Sequence, residues 1–119
     1  MTKEERIGNA KMLHKAGCNC CQAVVMAYAD KLPITNEQAS AVASPFGRGI
    51  AGMKEVCGCV SGMAMVCGLT GHTADVKPLI EKFKEDNGDI VCGRLSQMGK
   101  KPCNEMVGYA AGLLNEVVE

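Results

Sequence analysis

Only four aromatic side chains, Tyr28, Phe46, Phe83 and Tyr109, occur in 119 residues, and tryptophan is absent. A chain so short of rings must build its interior from Ala, Val, Leu, Ile and Met. Small side chains let helices approach closely, yet each buries little area at roughly 25 cal/mol per Å². A thin core is therefore expected, one that a bound cofactor or a partner subunit would reinforce.

Apolar residues make up 47% of the chain and charged ones 22%, which fits one compact domain over residues 1–119. Thirteen basic and thirteen acidic residues cancel, so no electrostatic footprint for nucleic acid or an anionic membrane is present. No apolar run approaches the ~20 residues that span a bilayer. The opening Met1-Thr2-Lys3-Glu4-Glu5-Arg6 lacks the apolar stretch of a secretory signal. The expectation is a soluble, cytoplasmic protein.

Helical punctuation recurs along the chain. Thr2 with Glu5 makes a capping box, followed by Ile7, Ala10, Met12, Leu13 and Ala16 at helical spacing. Gly17 suits the stop. Asn19 reads as the N-cap of a second helix closed before Pro33, and Thr35 with Gln38 opens a third that must end before Pro45. After the glycine-rich stretch from Ser44 to Met53, a helix starts near Val56 or Cys57 and stops at Gly71. Thr73 or Asp75 caps the next, which runs to Asn87-Gly88, and a short helical turn surrounds Ile90-Val91-Cys92. Pro102 fits the first turn of a last helix, Cys103 to Val118, with Met106, Val107, Ala110, Leu113 and Leu114 on one face. No segment shows strand alternation between hairpin turns. The prediction is an all-α single-domain bundle of about five to six helices with a glycine-rich loop.

Several motifs dissolve on inspection. Gly47-Arg48-Gly49-Ile50-Ala51-Gly52 spells the dinucleotide fingerprint, but that fingerprint works only between a strand and a helix of a βαβ unit. The glycines instead suit tight, positive-φ turns close to something buried. Gly58/Gly62 and Gly108/Gly112 make small faces for close helix packing, inside the chain or at a homodimer contact. His14 and His72 read as surface or capping residues, and Met63 and Met65 as core filler. No Cys-x-x-Cys-His occurs, so covalent c-type haem is excluded.

Eight cysteines remain: 18, 20, 21, 57, 59, 67, 92 and 103. Without a secretory signal such a set points to metal or redox chemistry before a disulfide scaffold. A zinc ribbon would need two matched knuckles, and a thioredoxin-type Cys-x-x-Cys a βαβ context. Neither is present. Cys20, however, follows the cap Asn19; Cys57 follows the glycine loop at a helix start; Cys92 follows Gly88-Asp89 in the short turn; Cys103 follows Pro102. Helix N-termini favour thiolate. Thiolates bind soft metals and carry out disulfide exchange. Four such positions either converge on one centre or are unrelated core cysteines.

At these residues the chain resembles the small helical redox-active proteins named for the pattern C_GCAxxG_C_C, known mainly from anaerobic bacteria. The resemblance rests on Asn19-Cys20-Cys21-Gln22-Ala23-Val24, on Cys57-Gly58-Cys59-Val60-Ser61-Gly62, on Cys92-Gly93-Arg94-Leu95 and on Pro102-Cys103. It matches the recurring cysteines to Cys20, Cys57, Cys92 and Cys103 and covers nearly the whole chain. Cys59 stands where the family usually has Ala, Cys21 where a small residue is usual, and Cys18 and Cys67 are extra. These four are small core residues, added ligands or resolving thiols.

The resemblance implies redox function. Split-Soret cytochromes look related in this domain and carry an iron–sulfur cluster with haem; some family members use selenocysteine, which points toward thiol chemistry. The leading expectation is an iron–sulfur electron carrier or redox sensor, with Cys20, Cys57, Cys92 and Cys103 as ligands and Gly47, Gly49, Gly52 and Gly58 letting the backbone approach the cluster. The rival is a dithiol–disulfide oxidoreductase in which Cys20 or Cys57 is the nucleophile. A zinc-binding or structural module ranks third. An electron-transfer or thiol partner protein is expected in the first two cases.

Overall fold

The computed structural model describes residues 1–119. Seven helices, α1 (Lys3–Lys15), α2 (Cys20–Met26), α3 (Asn36–Ala43), α4 (Gly58–Leu69), α5 (Val76–Asn87), α6 (Cys92–Met98) and α7 (Cys103–Val118), are joined by loops and single 3-10 turns. Strand pairing is limited to one antiparallel bridge, Val56 to Val91. The molecule is all-α, with slightly more helices than expected. The additional one is α6, read from sequence as only a short helical turn around Ile90-Val91-Cys92 and running on to Met98. Its start is held by long-range backbone bonds, Cys92 N–H to Glu55 O at 2.6 Å and Gly93 N–H to Lys54 O at 3.1 Å.

Local chemistry sets the first three helix starts. Thr2 with Glu5, Asn19 with Gln22, and Thr35 with Gln38 each form a reciprocal capping box, satisfying two of the N–H groups a helix start leaves unpaired. Neither Thr73 nor Asp75 caps α5 with its side chain: Thr73–Asp75 forms a 3-10 turn, and the Asp75 carboxylate pairs with His72 Nδ1 at 3.2 Å. Gly88 ends α5 in the left-handed conformation. Pro102 stands one place before α7 as its N-cap.

Helix α1 lies along α7, and α2 packs on α4 and α3. Glycine makes both crossings close. A methyl built on Gly62 would sit 3.0 Å from Val24 Cβ, and one on Gly108 would sit 2.7 Å from Lys11 Cε. Both small-residue faces are therefore covered within the chain and are not free for a second copy.

Val24, Val60, Met63, Val66, Val107 and Leu114 fill the interior together with alanines and the buried rings of Tyr28 and Phe83. The Tyr28 hydroxyl donates to Ala111 O at 2.6 Å. Beside it lies a residue with no sequence signal, the fully buried Arg6. Its guanidinium donates to Ala27 O at 2.8 Å, pairs with Asp30 and Glu119, and stacks 4.3 Å over the Tyr28 ring. A buried cation persists only when paired and hydrogen-bonded in this way. No helix is long and apolar enough to cross a membrane.

Candidate functional site

Four helix starts meet at one cavity of about 300 Å³, lined by Cys20, Cys57, Cys59, Cys92 and Cys103 together with His14, Arg48, Leu95, Ser96 and Met106. Cys20, Cys92 and Cys103 are the first residues of α2, α6 and α7, and Cys57 is the N-cap of α4. All four cysteines singled out by position in the sequence thus share one space. Two features bring them there. Backbone bonds clasp the segments before α4 and α6, Cys57 N–H to Ile90 O at 2.7 Å reinforcing the Val56–Val91 bridge. Gly58 lets α4 close on α2, for a methyl there would lie 2.3 Å from Cys20 Sγ.

The glycine-rich loop is a left-handed turn. Arg48, Gly49, Ile50, Ala51, Gly52 and Lys54 all have positive φ, a conformation costing roughly 1–2 kcal/mol for each residue other than glycine. Bonds across the loop hold it: Ala51 N–H to Pro45 O at 2.7 Å, Lys54 N–H to Arg48 O at 3.1 Å, Glu55 N–H to Gly49 O at 2.9 Å. Gly47, whose φ is ordinary at −67°, lies against the Asn19 side chain, where a methyl would come within 2.4 Å of Cγ. Gly49 packs on the Lys54–Glu55 backbone, while Gly52 meets nothing within 4 Å. None of Gly47, Gly49, Gly52 and Gly58 lines the cavity: the first two and Gly58 are buried in close contacts, Gly52 is exposed, and Arg48 is the loop residue that lines it. Strain of this kind gathers beside functional sites.

The thiols differ sharply in acidity. Cys20 is held down to about 6, chiefly by hydrogen bonding from the Cys59 thiol and also by the N–H groups of Arg48, Cys21 and Gly58, against the cost of burial. Cys57 is lowered by the same Cys59 thiol and by N–H groups at the start of α4. Cys59, fully enclosed, keeps its proton beside these two more acidic thiols and is raised well above the ordinary range, first by hydrogen bonding to them and then by burial. Cys92 and Cys103 are raised, first by burial and then by the negative charge of Cys57 and Cys20. The expectation that every helix start would favour thiolate therefore holds for two of the four. Crowding anions into one low-dielectric space opposes the helix N-terminus, and a cation in the cavity would reverse that balance.

The remaining cysteines separate by burial. Cys21 and Cys67 belong to the core, pushed up by burial to about 12 and about 11, and Cys18 packs against the same core. Cys59 alone of the four extra cysteines enters the cavity. The structure also moves His14 from the surface role read in the sequence to the cavity wall. Its Nδ1 lies 3.1 Å from Asn104 Nδ2, a contact between residues ninety apart in sequence that no local pattern reveals. His72 lies outside the cavity, before the 3-10 turn Thr73–Asp75; its side chain makes no capping bond there and instead meets Asp75.

No group of three or more His, Cys, Asp and Glu side chains is placed to hold a single metal ion. The five cavity thiols instead border a space large enough to hold a group between them, and their donor chemistry suits a soft polynuclear centre whose thiolates bind separate metal atoms.

Fold and cavity together define a small all-helical protein with a multi-cysteine cavity. The family model described as "Putative redox-active protein (C_GCAxxG_C_C)" matches residues 18–117, and the chain belongs to that family. No curated protein and no solved structure matches it.

Proposed function

We propose that the chain binds an iron–sulfur cluster through Cys20, Cys57, Cys92 and Cys103 and serves in electron transfer or redox sensing. The observation that carries this reading is the convergence of these four cysteines, from four separate segments, on one cavity of about 300 Å³. Four thiolates are the common protein ligand set of such clusters, and a bound cluster supplies one-electron chemistry. The chain's own residues supply the rest. Leu95 and Met106 give the cavity apolar walls. N–H groups of Arg48 and Gly58 act on the Cys20 sulfur, and hydrogen bonds to ligating sulfurs tune potential. Gly47 and Gly49 hold the loop that presents Arg48. Eight free thiols suit a reducing, cytoplasmic setting, with a partner protein as electron donor or acceptor.

The test is anaerobic expression of Cys57→Ser with ample iron. The variant should lose iron, sulfide and the visible charge-transfer bands that bleach with dithionite; retention of all three overturns the ligand assignment.

A second reading is favoured by one observation, the Cys20 thiol sharing the cavity with Cys57 and Cys59, a setting that lowers its pKa to about 6. The Cys20 thiolate would attack a partner's disulfide, and a neighbouring thiol would displace the mixed disulfide. The chain would end with one disulfide and the partner with two thiols. A colourless wild type with one fast-alkylating cysteine would select this reading.

A further inference from the structure

We propose that His14 presents its Nε2–H as a hydrogen-bond donor to the cysteine cavity, in a tautomer imposed by Asn104. The Asn104 amide nitrogen lies 3.1 Å from the Lys11 carbonyl oxygen and 3.1 Å from His14 Nδ1. A carbonyl only accepts, so the atom facing Lys11 O must be the NH₂ group and not the amide oxygen. That orientation sends the second N–H of the same NH₂ to His14 Nδ1, which must then be the unprotonated nitrogen. The ring proton resides on Nε2. His14 lines the cavity, its Nδ1 is occupied by Asn104, and its Nε2 makes no hydrogen bond within the chain, so that N–H is free for an acceptor in the cavity.

The same logic separates a donor from a ligand. A metal-bound histidine donates its second ring N–H to an acceptor. Here the second nitrogen receives a hydrogen bond, so His14 Nε2 carries a proton and is closed to metal. Asn104 is thus a positioning residue. It follows Cys103 at the start of α7 and ties that helix start to α1 through both Lys11 and His14. The effect on potential rests on the iron–sulfur reading; the tautomer does not. A donor toward ligating sulfur stabilises the more negative, reduced state, so His14 raises the reduction potential.

Two measurements test this. In ¹⁵N-labelled, metal-free protein at about pH 8, above the ordinary histidine range, multiple-bond ¹H–¹⁵N spectra should show His14 with a protonated Nε2 and a bare Nδ1. Asn104→Asp, whose carboxylate only accepts, should invert the two; His72→Gln assigns the resonances. A protonated Nδ1 in the wild type overturns the inference. In cluster-loaded protein, His14→Phe should keep wild-type iron and sulfide while its midpoint potential falls, a tenfold change in the one-electron equilibrium reading as about 59 mV. Loss of iron in that variant makes His14 a ligand, and an unchanged potential leaves it without a donor role; either result overturns the inference. If the wild type takes up no iron, the cluster reading falls and the tautomer spectrum alone decides.

Discussion

Replacing Gly58 by alanine tests the contact that joins the fold to the site. The added methyl would sit 2.3 Å from Cys20 Sγ and 3.0 Å from both Cys21 N and Phe46 O. Cys20 can turn its sulfur aside, at the cost of its place in the cavity. The two backbone atoms have no such freedom, so α4 must back away from α2. Overpacking costs ~1–3 kcal/mol, with the upper part of that range expected where backbone resists. Alanine's helix propensity returns at most ~1 kcal/mol. The net loss is about 1–2 kcal/mol, which for a domain of this size lowers Tm by about 4–8 °C. Gly68→Ala is the matched control: Gly68 is exposed on the same helix with nothing within 4 Å, so alanine there should stabilise by ~0.5–1 kcal/mol. Thermal unfolding of reduced, metal-free protein by circular dichroism reads the first effect, and iron content after anaerobic reconstitution reads the second. Gly58→Ala should fall in both, while Gly68→Ala should gain stability and keep its iron. If the two variants behave alike, the close approach of α2 and α4 at Cys20 is refuted.

Other outcomes follow from the same geometry. In metal-free protein Cys20, with its pKa near 6, should be alkylated first at neutral pH and slow as pH falls through about 6, whereas Cys21 and Cys67, near 12 and 11, should react only on unfolding; mass spectrometry of iodoacetamide-treated protein checks this, and a Cys20 rate that rises only above the ordinary thiol range refutes it. Arg6→Met should cost about 2–3 kcal/mol in urea unfolding at neutral pH, since it removes charged hydrogen bonds to Ala27 O, Asp30 and Glu119. Hydrogen bonding to Arg6 holds the Asp30 carboxyl below its ordinary pKa. That stability is therefore present above the usual carboxylate range and lost as pH falls through the lowered value. The acid limb should be steep in wild type and flatter in Arg6→Met, and equal slopes would deny the pairing its role.

Most of the architecture was legible along the chain. Thr2 and Thr35 announce their helices because a capping box joins residues three apart, Asn19 does so as an N-cap, and the last helix begins and ends where Pro102, Cys103 and its apolar face place it. The short helix α6 was legible only as a helical turn and not in its extent to Met98, since its start depends on bonds to Lys54 and Glu55, nearly forty residues away. The positions of Cys20, Cys57, Cys92 and Cys103 at helix starts were readable one by one. Their opposite shifts in acidity were not, because each thiol responds to the charge of the others across a shared cavity.

By itself, then, the order of residues determined an all-helical chain with a core of small side chains and four cysteines poised at turns into helices. These are consequences of backbone hydrogen bonding and steric preference acting over three or four residues. Tertiary structure alone decided that Arg6 is buried, that Cys59 faces the cavity while Cys21 and Cys67 face the core, and that His14 meets Asn104. Each depends on which helix crosses which and how closely. That is set by the summed packing of distant faces, to which glycines 58, 62 and 108 contribute by having no side chain to hold the helices apart.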